Sequence, residues 1–322
     1  MSIPVILHEH GCEPEPILGS LSFKLSQFDD PDNELPFIPT SRLIARCVDV
    51  TGCEHFGLLM GMRAEPSSLG IAGFMLLTAH DVDTALHALK RHLDLHDQGG
   101  VLTLSTDGEF TALGYAVHLS GVSATAQIYD MSIVLACKIM RNLCGEDWNP
   151  AEVLLSRPPP QDPAPYDLFF KAPIRFNATG SAVVFPTHWL QHKLPSHDLL
   201  LFDYLERKAA ELHQDKKVDL INQLHRFVRI ALVTQDCTSS AAAQHLGIHE
   251  RTLNRRLHDQ GTTFRNVVNE VRYAMAQSFL ANSEATNAEI ALALGYTDAT
   301  TFSHAFKRWS GMSPAQWRER QA

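Results

Sequence analysis

Residues 243–257 read AQHLGIHERTLNRRL, and residues 291–306 repeat the pattern as ALALGYTDATTFSHAF. In each copy an alanine stands four residues before a glycine, and a large apolar residue and a polar segment follow. A small residue lets two helices cross closely, and glycine adopts the left-handed turn conformation without a steric penalty. The pattern is typical of a helix-turn-helix, so the sequence predicts two such units. The matched positions are Ala243 and Ala291, Gly247 and Gly295, and Ile248 and Tyr296.

The second helix of each unit carries two apolar residues four positions apart. They are Leu253 and Leu257 in the first copy and Phe302 and Phe306 in the second. Residues at this spacing lie on one helix face, which we expect to be buried. The opposite face remains free and presents different side chains in the two copies. These outward residues are Arg251, Asn254, Arg255 and His258 in the first unit, and Ala299, Thr300, Ser303 and His304 in the second.

The outward residues have the chemistry of base readers. Arginine pairs with guanine through O6 and N7, and asparagine pairs with adenine through N6 and N7. Serine and threonine bond to several bases, and alanine contacts the thymine methyl group. Ordinary helical hairpins with solvated faces are the alternative interpretation. We favour two DNA readers, because a long helix with an apolar stripe, residues 262–282, joins the copies and would fix their separation.

The charge distribution divides the chain in two. The 322 residues carry a formal net charge of −9, but residues 216–322 hold 13 Lys and Arg against 9 Asp and Glu. An acidic body with a mildly basic end indicates two domains with different partners. We predict a first domain at residues 1–212, a linker at 213–217 and a DNA-binding domain at 218–322.

The first 215 residues combine helical and strand patterns, which predicts an α+β domain before an all-α one. Residues 81–96 begin with a capping aspartate and continue with apolar residues at helical spacing, so we expect an amphipathic helix. Residues 101–119 carry two β-prone arms around Asp107-Gly108, which predicts a hairpin. Residues 124–145 predict a helix that is buried in the core or against a second subunit. Short strands are expected at the segments IRF and AVVF.

At its C-terminal end the chain resembles the AraC/XylS family of bacterial transcription regulators. Residues 287–318, NAEIALALGYTDATTFSHAFKRWSGMSPAQWR, follow the family signature almost throughout, and with the first repeat the resemblance covers residues 218–322. It implies two helix-turn-helix units that enter successive major grooves on one DNA face. By position it implies base-reading roles for the residues of both outward faces. His304 departs from the pattern, because many members carry arginine at this position.

The N-terminal region is similar to the arabinose-binding-like sensor domain of a subgroup that includes ornithine-utilisation and virulence regulators. The similar stretches include FGLLMG at residues 56–61 and YDLFFKAPIRFNATGSAVVF at 166–185. This resemblance implies a domain that binds a small effector and dimerises, so we expect a homodimer that binds double-stranded promoter DNA. Effectors in the family range from amino acids and fatty acids to a cyclic dinucleotide, and among these an effector of the amino acid or fatty acid type is our expectation. We expect an activator, which would also contact RNA polymerase. The alternative is an effector-independent architectural DNA-binding protein.

Several other classes of function find no support in the sequence. It contains no Gly-x-Ser-x-Gly motif, phosphate loop or dinucleotide fingerprint, so we predict neither an enzyme nor a bound cofactor. His8, His10 and Cys12 lack a fourth ligand nearby, so no metal site is expected. No apolar run is long enough to span a membrane and no secretory signal is recognisable, so we expect a cytoplasmic protein with free thiols.

Overall fold

The computed structural model describes residues 2–30, 33, 35–119, 121–195, 197–215, 220–234, 237–246, 248–282 and 285–321. The chain divides into two compact units. The first consists of Met1–Val117 and Gly121–Leu212, and the second of His118–Ser120 and His213–Ala322.

The first unit contains helices and one sheet, which confirms the predicted α+β class. Its α-helices are α1 (Ile3–Glu9), α2 (Pro14–Gly19), α3 (Phe37–Thr51), α4 (Phe56–Arg63), α5 (Ile71–Thr78), α6 (Val82–His92), α7 (Thr125–Cys144), α8 (Ala164–Phe170) and α9 (Leu199–Asp215). Single turns of 3-10 helix lie at Leu25–Phe28, Pro66–Leu69, Leu93–Leu95 and Thr187–Gln191.

The sheet has the strand order β1-β2-β5-β3-β4. Its strands are β1 (Gly100–Thr106), β2 (Phe110–Val117), β3 (Glu152–Leu154), β4 (Ile174–Arg175) and β5 (Ser181–Pro186). β3 and β4 are parallel, and the other neighbours are antiparallel. The predicted hairpin is confirmed, since β1 pairs with β2 and Gly108 takes a φ of +101° in the turn. The predicted strands at IRF and AVVF correspond to β4 and β5.

Helix α7 is the central helix of this unit and packs against β2 and β5. It therefore lies in the core, one of the two locations that its apolar pattern allows. Helix α4 crosses it closely at two glycines. A β-carbon on Gly57 would lie 2.1 Å from the carbonyl oxygen of Gln127, and one on Gly61 would lie 2.7 Å from that of Met131. The glycines in FGLLMG thus permit the close approach of α4 and α7.

Helix α6 begins at an aspartate, as predicted. Asp81 Oδ1 accepts a hydrogen bond from the N–H of Thr84 at 3.0 Å, and Asp81 Oδ2 lies 3.0 Å from the ammonium of Lys193. Partial burial opposes ionisation of Asp81, but the N–H of Thr84 and the ammonium of Lys193 outweigh it and lower the pKa to about 2. The carboxylate therefore caps α6 and also ties it to the segment before α9.

A buried polar network joins α7 to α8. Arg157 Nη1 donates to Asp130 Oδ2 at 2.6 Å, and the Tyr166 hydroxyl donates to the same oxygen at 2.6 Å. Arg157 Nη1 also donates to the Tyr166 hydroxyl at 2.9 Å. A buried carboxylate needs such partners, because its desolvation is otherwise too costly. The network fixes the segment before α8 against the core helix.

Among the residues that the structure describes, the second unit consists of helices and the loops that connect them, which confirms its predicted all-α class. Its helices are α10 (Leu220–Thr234), α11 (Ser239–His245), α12 (Glu250–Asp259), α13 (Phe264–Asn282), α14 (Asn287–Ala293), α15 (Ala299–Ser310) and α16 (Pro314–Gln321). They share one apolar core, to which α10, α11, α12, α13, α14 and α15 contribute buried side chains.

The end of α9 differs from the sequence prediction. We expected the helix to end near residue 212 and a polar linker to occupy 213–217, but α9 continues to Asp215. Residues 213–215, His-Gln-Asp, include neither glycine nor proline, so the helix has no local reason to stop earlier. The rest of the predicted linker, 216–217, lies outside the described residues. Among the described residues, no helix is both long and apolar enough to cross a membrane.

Candidate DNA interface

The two helical hairpins of the second unit share one turn geometry. The N–H of Ile248 donates to the Ala243 carbonyl at 3.0 Å, and the N–H of Tyr296 donates to the Ala291 carbonyl at 2.9 Å. Bonds of this kind satisfy carbonyls at a helix C-terminus. Gly295 has a φ of +71°, as its turn assignment requires, whereas Gly247 lies outside the described residues. The repeated sequence pattern therefore corresponds to a repeated hydrogen bond.

The turns differ in length by one residue. Residues 246–249 separate α11 from α12, and residues 294–298 separate α14 from α15. The extra residue allows Asp298 to cap α15, where its Oδ1 accepts the N–H of Thr301 at 2.8 Å. This bond, with those from the threonine hydroxyls beside it, holds the pKa of Asp298 below its ordinary value. α12 instead begins after His249, whose side chain makes no cap bond.

The predicted apolar anchors are buried in both units. Leu253 and Leu257 of α12, and Phe302 and Phe306 of α15, are completely inaccessible to solvent. All four belong to the apolar core to which the long helix α13 also contributes. Because both anchor pairs are fixed, the opposite faces of α12 and α15 are the surfaces that remain for a partner.

The outward residues of α12 lie where the sequence places them. Arg251, Asn254, Arg255 and His258 are all exposed. None of these four side chains forms a hydrogen bond or ion pair with another residue in the described part of the chain. Their donors are therefore available to a partner. Arg256, also exposed, lies on the flank of this face and was not among the predicted readers.

The outward face of α15 is less polar and less exposed than that of α12. Thr300 and His304 are exposed, but Ala299 and Ser303 are half-buried. The Ser303 hydroxyl donates to the Ala299 carbonyl one turn earlier, at 2.8 Å, so its proton is already used. Ser303 can still accept a hydrogen bond. The structure thus brings the four residues together on one side of α15, with two of them at its edge.

Arg272 of α13 holds the second hairpin in place, a role that the sequence reasoning missed. Its Nε donates to the Leu294 carbonyl at 3.0 Å, and its Nη2 donates to the Gly295 carbonyl at 3.4 Å. The guanidinium carbon lies 4.6 Å from the centre of the Tyr296 ring. Arg272 therefore satisfies carbonyls at the end of α14 and fixes the turn against α13. Arg272 lies on the flank of the apolar stripe, one turn after Val268, and this position was the available signal.

The predicted absence of a metal site concerned residues 8–12. In the structure His10 Nδ1 lies 2.8 Å from the Ile6 carbonyl oxygen, within its own helix turn. Across the described ranges, no group of three or more His, Cys, Asp and Glu side chains is arranged to hold a metal ion. All six cysteines are free thiols, and burial raises the pKa of Cys47 to about 12.

Two family models match the chain and together cover both units. Residues 11–194 match the arabinose-binding domain of AraC transcription regulators, and residues 242–320 match a helix-turn-helix domain. The chain is 24% identical to the ornithine utilization regulator of Pseudomonas aeruginosa, over 98% of this chain and 93% of that protein. It is 26% identical to the transcriptional regulator VirS of Mycobacterium tuberculosis, over 97% of this chain and 93% of that one. The crystal structure of the regulator CdpR from P. aeruginosa aligns with a TM-score of 0.46 and 23% identity, over 91% of this chain and 96% of CdpR.

Proposed function

Because the chain belongs to the AraC family of transcription regulators, we propose that it activates transcription by reading two short DNA words under the control of a small-molecule effector. Family membership makes it a DNA-binding regulator with an N-terminal ligand-binding domain, and not an enzyme. On our proposal residues 1–212 sense the effector and form a homodimer, and residues 218–322 bind promoter DNA. An activator of this kind acts in the cytoplasm and contacts RNA polymerase.

The observation that carries the proposal is the pair of matched hairpins with buried anchors and free opposite faces. α12 presents two arginines and an asparagine, which suit guanine and adenine. α15 presents small and hydroxyl-bearing side chains with one histidine, which suit a different word. Both hairpins share one apolar core with α13, the helix that joins them, so we expect this core to set the distance between the words. We expect the words to be spaced so that successive major grooves face the protein.

Selection of binding sites from random duplexes tests the proposal that α12 and α15 each recognise a short DNA sequence. Wild-type protein should enrich two short words, and Arg255→Ala should relax the preference at one base pair at a cost of about 1–3 kcal/mol. Arg256→Ala is the matched control, since it removes the same charge from the neighbouring, flanking position. Unchanged selectivity of the Arg255 variant would count against its base-reading role. If the wild-type protein enriches no sequence, sequence-specific DNA binding is refuted altogether.

The effector is proposed from the N-terminal domain and its relatives. One relative is an ornithine utilization regulator, so amino acids are the first class to test and fatty acids the second. A ligand changes regulation only if it favours one conformation or assembly over another. A thermal-shift screen should identify a compound that stabilises the protein, and that compound should alter transcription from the selected promoter. If no stabilising compound changes the DNA footprint or the level of transcription, the result favours the alternative of an effector-independent architectural protein.

Helix α9 supports the proposed homodimer. Leu200, Tyr204 and Leu212 are exposed along one side of it, and Leu200 is 84% accessible. In an antiparallel pair about a two-fold axis, Leu200 of one copy meets Leu212 of the other, and Tyr204 meets Lys208. Within one chain the Lys208 ammonium lies 5.9 Å from the Tyr204 ring centre and 2.7 Å from Glu211 Oε2, so the apolar contact between Leu200 and Leu212 carries the proposed interface.

The mass of the protein in solution tests the α9 dimer. Leu200→Glu should shift the equilibrium towards monomer in analytical ultracentrifugation, because it places two carboxylates beside apolar surface. Leu168→Glu is the control, since Leu168 is 79% exposed on α8, outside the proposed interface. A Leu200 variant as dimeric as the Leu168 variant would exclude α9 as the interface.

A further inference from the structure

A groove of about 600 Å³ lies in the second unit between α13 and α15. α13 contributes Arg265, Asn269 and Arg272 to it, and α15 contributes His304 and Arg308. The other lining residues are Cys237, Phe264, Val268, Tyr296, Thr301 and Ala305. The groove therefore carries three arginines and no acidic side chain, in a protein whose net charge is −9.

Two of the three arginines are available to a ligand. Arg272 is engaged with the carbonyls of Leu294 and Gly295. Arg265 and Arg308 are exposed, and within the described part of the chain neither has a hydrogen-bonding or ion-pairing partner. Two free guanidinium groups beside a third, without a neutralising acid, repel one another unless an anion lies between them. Phosphate is the anion whose geometry a guanidinium fork matches.

The groove lies beside α15, the second proposed reading helix, and along the N-terminal part of α13. Arg265 stands in the first turn of α13, directly after the loop that follows α12. Arg308 lies on α15, on the flank one turn beyond the outward residue His304. Where one protein enters two successive major grooves, the stretch of duplex between them presents its sugar–phosphate backbone to the protein. Arg265 follows the first helix-turn-helix unit in the chain and Arg308 belongs to the second, so the groove combines a residue next to each unit.

We propose that the Arg265–Arg308 groove binds backbone phosphates of the DNA between the two words, and so supplies affinity that is independent of sequence. This inference rests on the proposed DNA-reading function. The two arginines hold the duplex from the α13 and α15 walls of the groove, and Asn269, one turn after Arg265 on α13, offers an amide donor. The groove thereby sets the register at which α12 and α15 meet the bases.

The salt dependence of binding tests the proposal. Full-length Arg265→Ala and Arg308→Ala are compared with wild type on one duplex, chosen by selection with the wild type. Each variant should bind about five- to tenfold more weakly near 0.1 M salt. The slope of log K against log salt should flatten by about 0.9 for each phosphate that the variant no longer neutralises. Arg320→Ala, which removes an exposed charge of the same unit outside the groove, should leave the slope unchanged.

The outcomes separate this inference from the proposed function. Weaker binding with a flatter slope and an unchanged selected sequence supports the phosphate groove. Wild-type slope and affinity in both variants would overturn it while the base readers still stand. A changed selected sequence would also overturn it, because the arginines would then read bases. Failure of the wild type to prefer any duplex would instead refute the proposed function.

Discussion

Replacement of Arg272 should loosen the second hairpin without unfolding the first. In Arg272→Ala the Leu294 carbonyl loses a charge-assisted bond of 3.0 Å, and the Tyr296 ring loses a guanidinium at 4.6 Å. Such a bond contributes about 1.5–3 kcal/mol, and a partly desolvated cation–π contact contributes about 0.5–2 kcal/mol. The 3.4 Å bond to Gly295 is long and exposed, so we give it no separate value. The two contributions sum to about 2–5 kcal/mol, and because Arg272 is only half-buried we expect a loss of about 2–4 kcal/mol of local stability.

Arg272→Lys should recover only part of this loss, although the charge is kept. An ammonium is a compact point charge, so it cannot bond the Leu294 carbonyl and lie flat on the Tyr296 ring at once. The lysine can therefore keep only one of these two interactions. We expect the lysine variant to fall between wild type and Arg272→Ala.

Amide hydrogen exchange resolves this effect, because it reports opening segment by segment. A loss of about 2–4 kcal/mol accelerates exchange in α14 and the start of α15 about 30- to 800-fold, since 1.4 kcal/mol is a factor of ten. Protection in α11 and α12 should change little. Arg265→Ala, on the same helix but without a partner among the described residues, is the control. Unaltered protection of α14 in Arg272→Ala would show that the arginine does not fix this hairpin.

Two further substitutions test individual elements through the free energy of unfolding. Gly295→Ala should cost about 1–2 kcal/mol, because the backbone there is left-handed, with a φ of +71°; a steric clash is not the cause, since the atom nearest to an added β-carbon is 3.5 Å away. The control is Gly180→Ala, which has open space and no left-handed φ and should not change the stability. Equal stability of the two variants would contradict the turn assignment. Asp81→Ala should cost about 1–2 kcal/mol at pH 7. Because the pKa of Asp81 is lowered to about 2 from 3.8, this contribution is present above about pH 4 and is lost as the pH falls towards 2. Asp83→Ala removes the same charge from the same helix turn without the cap, and an equal loss in it would refute the capping argument.

The elements that the sequence predicted well are those specified by residues close together in the chain. The anchors of α12 and α15 follow a four-residue spacing, and the β1–β2 hairpin depends on the dipeptide Asp107-Gly108. Each of these local patterns favours a single local structure, so the sequence alone predicted the two helix-turn-helix units and the hairpin. The end of α9 was predicted wrongly, because polar residues alone do not stop a helix.

Features built from distant residues gave no local signal. Asp130 lies within an apolar helix pattern, and its partners Arg157 and Tyr166 follow 27 and 36 residues later. No residue close to Asp130 in the sequence indicates that its carboxylate pairs with an arginine in the core. The groove is also built from residues that are distant in the sequence, because Arg265 and Arg308 belong to different helices that tertiary packing brings together. The sequence therefore indicated which faces were free, but not which distant side chains would meet.

The two reading helices differ in a way that should divide affinity from specificity. α12 offers two exposed arginines, and a bidentate arginine–guanine pair discriminates by about 1–3 kcal/mol. The outward face of α15 carries no arginine, but the proposed phosphate groove with Arg308 lies along its flank. On these proposals the first word supplies most of the sequence preference, and the α15 side supplies contacts that any duplex satisfies. Single-base changes in the first word should therefore weaken binding more than changes in the second, and a profile equally sensitive in both would contradict this division.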